Sequence, residues 1–498
     1  MSKTVNFSGK PFHFIGIGGI GMSALAYVLA KRQLPVSGSD LRSSHITKRL
    51  QSVGTHIFSS QQAANLDYFQ NRKPVRGDRL SATATVRGKA QETATLTAPH
   101  KQEQLGVSLP QVICSTAITS TNVEYQAAQE KGCTIFHRSD LLAALVKEYK
   151  SIAVAGTHGK TTTSSLIGYM LLQAGVDPTI IVGGEVDAWE GNARLGNGPF
   201  LVAEADESDG SLTKISASLG VITNIELDHP DHYQSIEEVV DIFRTFESQC
   251  ETLVGCLDCE TLSSTFQPQI SYSIEPEKGA DYTVKNVTYH SWGSRAEVWE
   301  KGTALGQLEL PLLGLHNLSN ALAAVAVGRH LGLEFAAIAK GLATFKGAKR
   351  RFEYRGKNKG VTFIDDYAHH PSEISVTLTA ARLRLCQEEQ NSSLKRVIAI
   401  FQPHRYSRTL TFLEEFAQAF SQADVVVVTD IYSAGEPNSG KITGQKLSQA
   451  IAAHHPQVFY QPLSSLSNFL PDILQPGDLA LFLGAGNLNQ TIPVMLAG

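Results

Sequence analysis

The sequence predicts an α/β protein made of three consecutive segments, because the same local pattern opens each of them. A short apolar strand runs into a polar or glycine-rich loop and then into a helix at "FHFIGIGGIGMSALAYVLAKRQ", "SIAVAGTHGKTTTSSLIGYMLLQAG" and "VTFIDDYAHHPSEISVTLTAARL". Strands that alternate with helices form mostly parallel sheets covered on both faces. Such sheets bind ligands at the carboxyl ends of their strands, and we expect the functional residues there.

Length and composition limit the class of protein. A chain of 498 residues predicts two to four domains, and its net charge of -4 does not indicate nucleic-acid binding. No apolar run reaches the ~18 residues of a membrane helix. The start "MSKTVNFSGKPFHF" has no apolar signal core, so we expect a cytoplasmic protein that does not bind membranes. Cys256 and Cys259 form a C-x-x-C pair without other metal ligands, and we interpret them as packing residues.

One segment does not fit the α/β pattern. Residues 70–107 are polar, rich in Thr, Ala, Lys and Arg, and almost free of large apolar side chains. Such a segment buries too little apolar surface to offset the entropy lost on ordering. We therefore predict a mobile insertion, and we favour a solvated loop over a docking element.

The first glycine-rich loop indicates a nucleotide diphosphate. "GIGGIG", from Gly16 to Gly21, matches the G-x-G-x-x-G fingerprint, and Asp40 follows about twenty residues later. The glycines let the backbone approach a pyrophosphate at a helix N-terminus, and Asp40 would accept a hydrogen bond from a ribose hydroxyl. The pattern leaves three interpretations open: NAD, a UDP-sugar with the same diphosphate, or a turn used only for packing.

The second glycine-rich loop indicates phosphoryl transfer. Gly156 and Gly159 precede Lys160 and Thr161, although Val154 stands where the strict G-x-x-x-x-G-K-[ST] pattern requires glycine. Backbone amides of such a loop surround phosphates, the lysine meets the γ-phosphate, and the hydroxyl reaches Mg²⁺. The alternative is an ordinary helix start capped by threonine.

Acidic residues follow the next predicted strand, residues 200–203. These acids are Glu204, Asp206, Glu207 and Asp209. Carboxylates this close repel one another unless a cation or solvent reduces the repulsion. We therefore predict a metal site here and favour it over the alternative, an exposed acidic turn. His229 ends a further strand beside Asp228, and a neutral imidazole there is a candidate ligand of a second ion.

A basic cluster follows an apolar strand in the third segment. "FQPHRYSRT" contains His404, Arg405 and Arg408. Two guanidinium groups three residues apart suit the carboxylate of an amino acid or a phosphoryl oxygen. The alternative is a basic surface at the start of a helix.

Taken together, these runs resemble the Mur ligases of peptidoglycan synthesis. The resemblance rests on "GTHGKTTT", "EADESD", "TNIELDH", "LLGLHNLSN", "GAKRRFEY", "DDYAHHPSE" and "FQPHRYSRT", which occur in the order of the family. It spans nearly the whole chain except residues 70–107, and a loop without glycine at 154 is typical of the family. The greatest similarity is to the branch that adds L-alanine.

The resemblance implies three domains. Residues 1–148 would form a Rossmann-like domain that binds a UDP-sugar. Residues 149–346 would form a central P-loop ATPase domain with a mostly parallel sheet. Residues 347–498 would form a C-terminal Rossmann-like domain that closes on ATP and the amino acid.

The resemblance also implies a reaction. The lactyl carboxylate of UDP-N-acetylmuramate would attack ATP to form an acyl phosphate, and the amine of L-alanine would then displace phosphate. ATP and two Mg²⁺ ions are the expected cofactors, and the protein is expected to be a monomer or a weak homodimer. The alternatives are a recycling ligase that adds a tripeptide to the same sugar, a P-loop ATPase switch and an NAD-dependent dehydrogenase. Ser208 disfavours the recycling ligase, which usually has tyrosine there.

The resemblance assigns residues to each part of the site. The implied UDP-sugar ligands are Gly16, Gly18, Gly19, Ile20, Gly21, Met22, Ser23, Asp40, Ser115 and Thr116. The implied ATP ligands are Gly156, Thr157, His158, Gly159, Lys160, Thr161, Thr162, His316, Asn320, Asp366 and Tyr367. The implied metal ligands are Thr161, Glu204 and His229. The implied catalytic residues are Lys160, His229, Arg351, His404, Arg405 and Arg408.

Overall fold

The computed structural model describes residues 4–70, 109–387 and 394–498, and three β-sheets follow one another along these residues. The first sheet lies in one compact unit, and the second and third sheets lie together in another. The insertion predicted at residues 70–107 falls, apart from Gln70, outside the described residues. In the described ranges, no helix is both long and apolar enough to cross a membrane.

The first sheet has five parallel strands in the order β3-β2-β1-β4-β5. Its strands are β1 (Phe12–Ile15), β2 (Val36–Ser39), β3 (His56–Phe58), β4 (Gln111–Cys114) and β5 (Thr134–His137). The helices that follow these strands along the chain are α1 (Ile20–Lys31), α2 (His45–Ser52), α3 (Val123–Glu130) and α4 (Arg138–Val146). The strand order reverses between β1 and β4, and ligands of open parallel sheets bind at such a point.

The second sheet has ten strands in the order β15-β14-β13-β12-β11-β10-β6-β9-β7-β8. Its first strands are β6 (Lys150–Ala155), β7 (Thr179–Val186), β8 (Gly191–Arg194), β9 (Phe200–Glu204) and β10 (Leu219–Ile222). The others are β11 (Thr252–Cys256), β12 (Ile270–Ser273), β13 (Tyr282–His290), β14 (Gly293–Glu300) and β15 (Thr303–Leu310). Its helices are α5 (Lys160–Gln173), α6 (Ile236–Ser248), α7 (Glu260–Thr265), α8 (Leu315–His330) and α9 (Phe335–Leu342).

Most pairings in the second sheet are parallel, as the sequence predicts, but both edges are antiparallel. Strand β8 pairs antiparallel with β7, and β13, β14 and β15 form an antiparallel meander. The meander was not predicted. Buried and exposed residues alternate along much of β14, as expected of a strand with one covered face, and this pattern is weaker than the apolar runs of the parallel strands.

Helices α5 and α8 pack together in the core of this unit. Leu166, Met170, Leu322 and Val325 are fully buried there. Most of α8 is buried, which explains its lack of a polar face. Thr163 Oγ1, in the first turn of α5, donates to Asn320 Oδ1 of α8 at 3.0 Å, which holds the starts of the two helices together.

The third sheet has six strands in the order β16-β17-β21-β18-β19-β20, and only the edge strand β16 is antiparallel. Its strands are β16 (Glu353–Asn358), β17 (Val361–Asp366), β18 (Arg396–Phe401), β19 (Val425–Val428), β20 (Val458–Tyr460) and β21 (Asp478–Leu483). The helices are α10 (Pro371–Gln387), α11 (Tyr406–Thr411), α12 (Leu413–Gln418), α13 (Gly444–Ala452), α14 (Leu466–Ile473) and α15 (Thr491–Ala497). The apolar runs predicted as strands in this segment are confirmed as β17, β18, β19 and β21.

Candidate active site

The loop between β6 and α5 has a backbone that only glycine accommodates. Gly156 has φ +138°, and a Cβ there would lie 2.0 Å from Thr223 Oγ1. Gly159 has φ +80°, and its Cβ would lie 2.7 Å from Asn320 Oδ1. Both positions therefore require glycine for conformation and for close packing.

The end of β10 holds this loop in place. The amide of Thr157 donates to the carbonyl of Asn224 at 3.0 Å, and the amide of His158 donates to Asn224 Oδ1 at 2.8 Å. Thr223 Oγ1 donates to the carbonyl of His158 at 2.6 Å. Strand β10 is the neighbour of β6 in the sheet, so parallel pairing brings these residues to the loop.

Lys160, the first residue of α5, is a partly buried ammonium with three acceptors. Its Nζ donates to the carbonyls of Gly156 (2.6 Å) and Thr157 (3.1 Å) and to Glu207 Oε1 (2.8 Å). Burial acts to lower the pKa of Lys160, but Glu207 and neighbouring carboxylates outweigh it and raise this pKa. Burial raises the pKa of Glu207 to about 7, against the opposing effect of Lys160. Lys160 is therefore a cation on the loop that the sequence assigns to phosphate.

The predicted metal ligands lie beside this lysine. Thr161 Oγ1 donates to Glu204 Oε1 at 3.1 Å, and Glu204 ends β9, the other neighbour of β6. The Nε2 atom of His229 lies 4.0 Å from Glu207 Oε1 and 3.6 Å from Asp228 Oδ2. Burial lowers the pKa of His229 to about 4, so its imidazole is neutral near pH 7. A hydroxyl, a carboxylate and a neutral imidazole fit a divalent cation.

A cavity of about 520 Å³ lies between these loops and the start of the third sheet. Its walls include six of the predicted residues, namely His158, Gly159, Thr162, His316, Asn320 and Asp366. Arg351, predicted to reach a phosphate, also lines it. Burial lowers the pKa of His316 to about 4, which leaves a neutral ring in the wall of the cavity.

The start of the third sheet contributes a carboxylate and two cations to the cavity region. Asp366 accepts hydrogen bonds from the amides of Ala368 (2.8 Å) and Phe352 (2.7 Å), and burial raises its pKa to about 6 against the effect of Arg351. The guanidinium carbons of Arg350 and Arg351 lie 5.0 and 5.2 Å from the ring centre of Tyr367. These cation–π contacts orient Arg351.

The two arginines of the basic cluster, Arg405 and Arg408, bind carboxylates of the second sheet's loops. Arg408 donates to Asp228 through Nε (2.8 Å) and Nη2 (3.1 Å), and both side chains are buried. Arg405 Nη1 donates to Asp231 Oδ2 at 2.8 Å. Burial lowers the pKa of His404 well below its usual value. Contact of these residues with a substrate stays a prediction.

The predicted UDP-sugar residues follow the ends of the adjacent strands β1, β2 and β4 or lie in the first turn of α1, and all of them except Ser23 belong to the unit of the first sheet. The loop that begins at Gly16 follows β1, and the amide of Gly18 donates to Asp40 Oδ2 at 2.8 Å. The amide of Arg42 donates to the other carboxylate oxygen of Asp40 at 2.9 Å. Ser115 and Thr116 follow β4 and line a cavity of about 560 Å³. Asp40 thus braces the glycine loop, and its contact with a ribose stays a prediction.

Models of one family match the three sheet-containing regions. The Mur ligase family catalytic domain matches residues 11–150, the Mur ligase middle domain matches residues 154–328, and the Mur ligase glutamate ligase domain matches residues 350–486. The chain belongs to the Mur ligase family.

Relatives of this Mur ligase cover its full length. The UDP-N-acetylmuramate–L-alanine ligase of Gloeothece citriformis is 66% identical over 500 residues, which cover 100% of this chain and 99% of that protein. The crystal structure of UDP-N-acetylmuramate-alanine ligase from Thermotoga maritima has a TM-score of 0.77 at 26% identity and covers 98% of both chains. A murein peptide ligase from Psychrobacter arcticus shares the fold, with a TM-score of 0.67 at 20% identity over 98% of both chains.

Several charged residues of the Mur ligase site were not assigned from the sequence. Glu373, in the first turn of α10, accepts from His158 Nδ1 at 3.1 Å, and Ser372 Oγ donates to Glu226 Oε2 at 2.8 Å. Glu207 was named among the acids after β9 but without a partner, and it pairs with Lys160. Glu226 and Glu373 stand within the runs that carry the resemblance, but an acid in a loop or a first helical turn is usually solvated. Their sequence context alone therefore did not indicate these partners.

Proposed function

We propose that this Mur ligase joins L-alanine to the lactyl carboxylate of UDP-N-acetylmuramate, with ATP, in the synthesis of peptidoglycan precursors in the cytoplasm. The observation that carries this proposal is the 66% identity, over the whole chain, to a ligase named for that sugar and that amino acid. We call residues 156–159, between β6 and α5, the phosphate loop. The cavity that brings together this loop, the start of α8 and Arg351 supports the use of ATP.

We further propose three domains with the bounds 1–148, 149–346 and 347–498. The first would bind the sugar nucleotide through the loop at Gly16 to Gly19, the first turn of α1 up to Ser23, and Ser115 and Thr116. The second and third would bind ATP. In this arrangement the adenine lies near His316 and Asn320, and the phosphates lie along the loop that begins at Gly156 and the first turn of α5 up to Thr162.

The first chemical step is phosphoryl transfer. An oxygen of the lactyl carboxylate attacks the γ-phosphorus of ATP, and the bond from this phosphorus to the β,γ-bridging oxygen breaks. The products are ADP and an acyl phosphate. The attacking and transferred groups are both anions, so positioning and neutralisation of charge are the main contributions of the protein. Lys160 supplies a fixed positive charge on the loop, and Arg351 supplies a second one in the cavity wall.

The metal site fits this step. Thr161 and Glu204 would hold one Mg²⁺, and His229 with Glu204 would hold a second. Bound there, Mg²⁺ neutralises the phosphate oxygens. The neutral state of His229 makes its Nε2 available as a donor atom.

The second step is formation of the amide. The neutral amine of L-alanine attacks the acyl carbon, the amine loses a proton, and the tetrahedral intermediate expels phosphate. Arg405 is the half-exposed arginine of the basic cluster and is our candidate for the alanine carboxylate. Arg408 is buried with Asp228, so we assign it a positioning role beside His229.

The proposal is tested by phosphate release with ATP, Mg²⁺ and UDP-N-acetylmuramate, in separate reactions with single amino acids and with the tripeptide L-Ala-γ-D-Glu-diaminopimelate. We expect release with L-alanine far above release with any other amine. Release with the tripeptide alone would make the chain a recycling ligase. Release without an amine would indicate an ATPase, and no release would reject the proposal. Light scattering tests our expectation of a monomer or a weak homodimer.

A further inference from the structure

Three potential metal ligands from separate segments meet beside the cavity. They are His158 of the phosphate loop, Glu226 of the loop after β10, and His370 directly before α10. One ligand atom from each lies within 4.8 Å of the other two. These atoms belong to a group distinct from Thr161, Glu204 and His229. We call this group the His158–Glu226–His370 cluster.

The imidazole of His158 has the orientation of a metal ligand. Its Nδ1 contacts Glu373 Oε1 at 3.1 Å, which directs the other nitrogen toward the cluster. Metal-bound histidines usually donate their second ring N–H to a carboxylate in this way. His158 Nε2 lies 3.4 Å from Glu226 Oε2, without the angle of a hydrogen bond. Two ligands at ~2.1 Å from a tetrahedral metal ion are ~3.4 Å apart, so this pair already has the required spacing.

His370 supplies a second imidazole nitrogen that is available to a metal ion. The residue is 5% exposed, and among the described residues its Nε2 has no hydrogen-bond partner. Such a buried, unpaired nitrogen is uncommon and calls for a partner. Ligation through Nε2 places the ring proton on Nδ1, so the long 3.4 Å contact from the amide of Ser372 is lost on binding.

We propose that the His158–Glu226–His370 cluster binds a divalent transition-metal ion such as Zn²⁺ and that this ion inhibits the enzyme. Two imidazoles and one carboxylate are the donors that Zn²⁺ accepts, whereas Mg²⁺ prefers oxygen. The ion links the phosphate loop to the start of α10, a helix that belongs to the region of the third sheet. It also draws His158 into coordination at the wall of the cavity, and both effects oppose the binding of ATP.

The carboxylates around the cluster favour a cation, whereas the proton held by His158 opposes binding until it leaves. Glu226 and Glu373 contribute two carboxylates, and each lies within 3.4 Å of His158. Burial keeps the pKa of His370 below its usual value, so this ring is neutral near pH 7. The proton that His158 holds between the two carboxylates has to leave on binding, which is the general behaviour of histidine ligands.

The test measures Zn²⁺ binding to the full chain by competition with a chromogenic chelator, in the presence of excess Mg²⁺. We expect one tight Zn²⁺ site in the wild type. His370→Gln and Glu226→Gln should each weaken binding by more than the roughly 10–100-fold typical of changes in outer-shell partners. His369→Gln is the matched control, because it alters the adjacent histidine outside the cluster. Glu204→Gln tests the proposed Mg²⁺ site and should retain Zn²⁺ binding.

Several outcomes would overturn the proposal. They are the absence of a tight site in the wild type, unchanged binding in both cluster variants, and loss of binding only in Glu204→Gln. Circular dichroism checks that each variant is folded. If either His370→Gln or Glu226→Gln does not fold, the other variant still tests the proposal. Inhibition is read as Zn²⁺-dependent loss of phosphate release, reversed by chelator and absent in folded His370→Gln. Inhibition rests on the proposed ligase function, but Zn²⁺ binding does not, so the two can fail separately.

Discussion

Breaking the buried ion pair between Arg408 and Asp228 should destabilise the unit of the second and third sheets more than breaking an exposed pair. The guanidinium donates two hydrogen bonds to the carboxylate, at 2.8 and 3.1 Å, and the side chains are 2% and 5% exposed. Two charges ~3 Å apart interact by about 5 kcal/mol at an effective dielectric constant of ~20. Removal of one partner from a buried pair costs about 3–5 kcal/mol, because the other charge stays buried.

The perturbation is Asp228→Asn, which keeps the shape and removes the charge. The unit of the second and third sheets has about 366 residues, and at about 2.1 cal/mol/K of unfolding entropy per residue a loss of about 3–5 kcal/mol corresponds to a decrease in Tm of roughly 4–7 °C. The matched control is Asp231→Asn. Its partner Arg405 directly precedes α11, the helix that contains Arg408, but the side chains of Arg405 and Asp231 are 30% and 35% exposed, so the change should cost less than about 1 kcal/mol.

Calorimetry of the full chain measures both variants. A double-mutant cycle with Arg408→Met should show that the second substitution costs far less in the Asp228→Asn background than in the wild type. Equal Tm values for Asp228→Asn and Asp231→Asn, or additive effects in the cycle, would refute the reasoning.

The same pair predicts a dependence of stability on pH. Burial opposes ionisation of Asp228, but Arg408 holds the pKa of this carboxyl well below its usual value. A depressed folded-state pKa adds stability that is complete above the unfolded value of about 4 and is lost as pH falls below it. The wild type should therefore lose more stability than Asp228→Asn between about pH 4 and pH 2.

Three further predictions concern the phosphate loop. Gly156→Ala should lower Tm and abolish turnover, since a Cβ would lie 2.0 Å from Thr223 Oγ1 and the strain alone costs about 1–3 kcal/mol. Lys160→Ala should lower kcat by about 100-fold or more and leave UDP-sugar binding unchanged in calorimetry, because all the predicted sugar residues except Ser23 belong to the other unit. Burial opposes protonation of His158, but its two carboxylate partners raise its pKa in the folded state to about 10. Wild-type stability should therefore fall as pH rises from about 6.5, the unfolded value, to about 10. The stability of His158→Gln should change less over this range.

Each of these predictions has an outcome that contradicts it. Wild-type Tm and kcat in Gly156→Ala would mean that the loop tolerates a side chain. Loss of sugar binding in folded Lys160→Ala would count against the assignment of the two substrates to separate units. For His158, subtracting the stability of His158→Gln from that of the wild type at each pH removes the effect of other groups that titrate above pH 8. Parallel curves of stability against pH would show that His158 is not held protonated.

Local patterns were sufficient to predict the α/β class and the loops that carry chemistry. The apolar runs before Gly156 and Glu204 are long enough to indicate buried parallel strands, and both were confirmed as β6 and β9. The glycine spacing at Gly16 and Gly156 depends on backbone conformations within a few residues of the loop. The antiparallel meander β13–β15 was missed, because its short-range alternation is irregular and its bulges interrupt the register.

The sequence by itself determined which residue types stand at the strand ends, since strand, loop and helix follow from neighbouring residues. Only the tertiary structure decided which of them meet. Arg408 and Asp228 are 180 positions apart, His158 and Glu373 are 215 apart, and Ser372 and Glu226 are 146 apart. Such pairs depend on the order of strands in each sheet and on how the sheets pack, and no local pattern encodes either. For this reason the partners of the predicted residues, and the His158–Glu226–His370 cluster, became visible only in the folded chain.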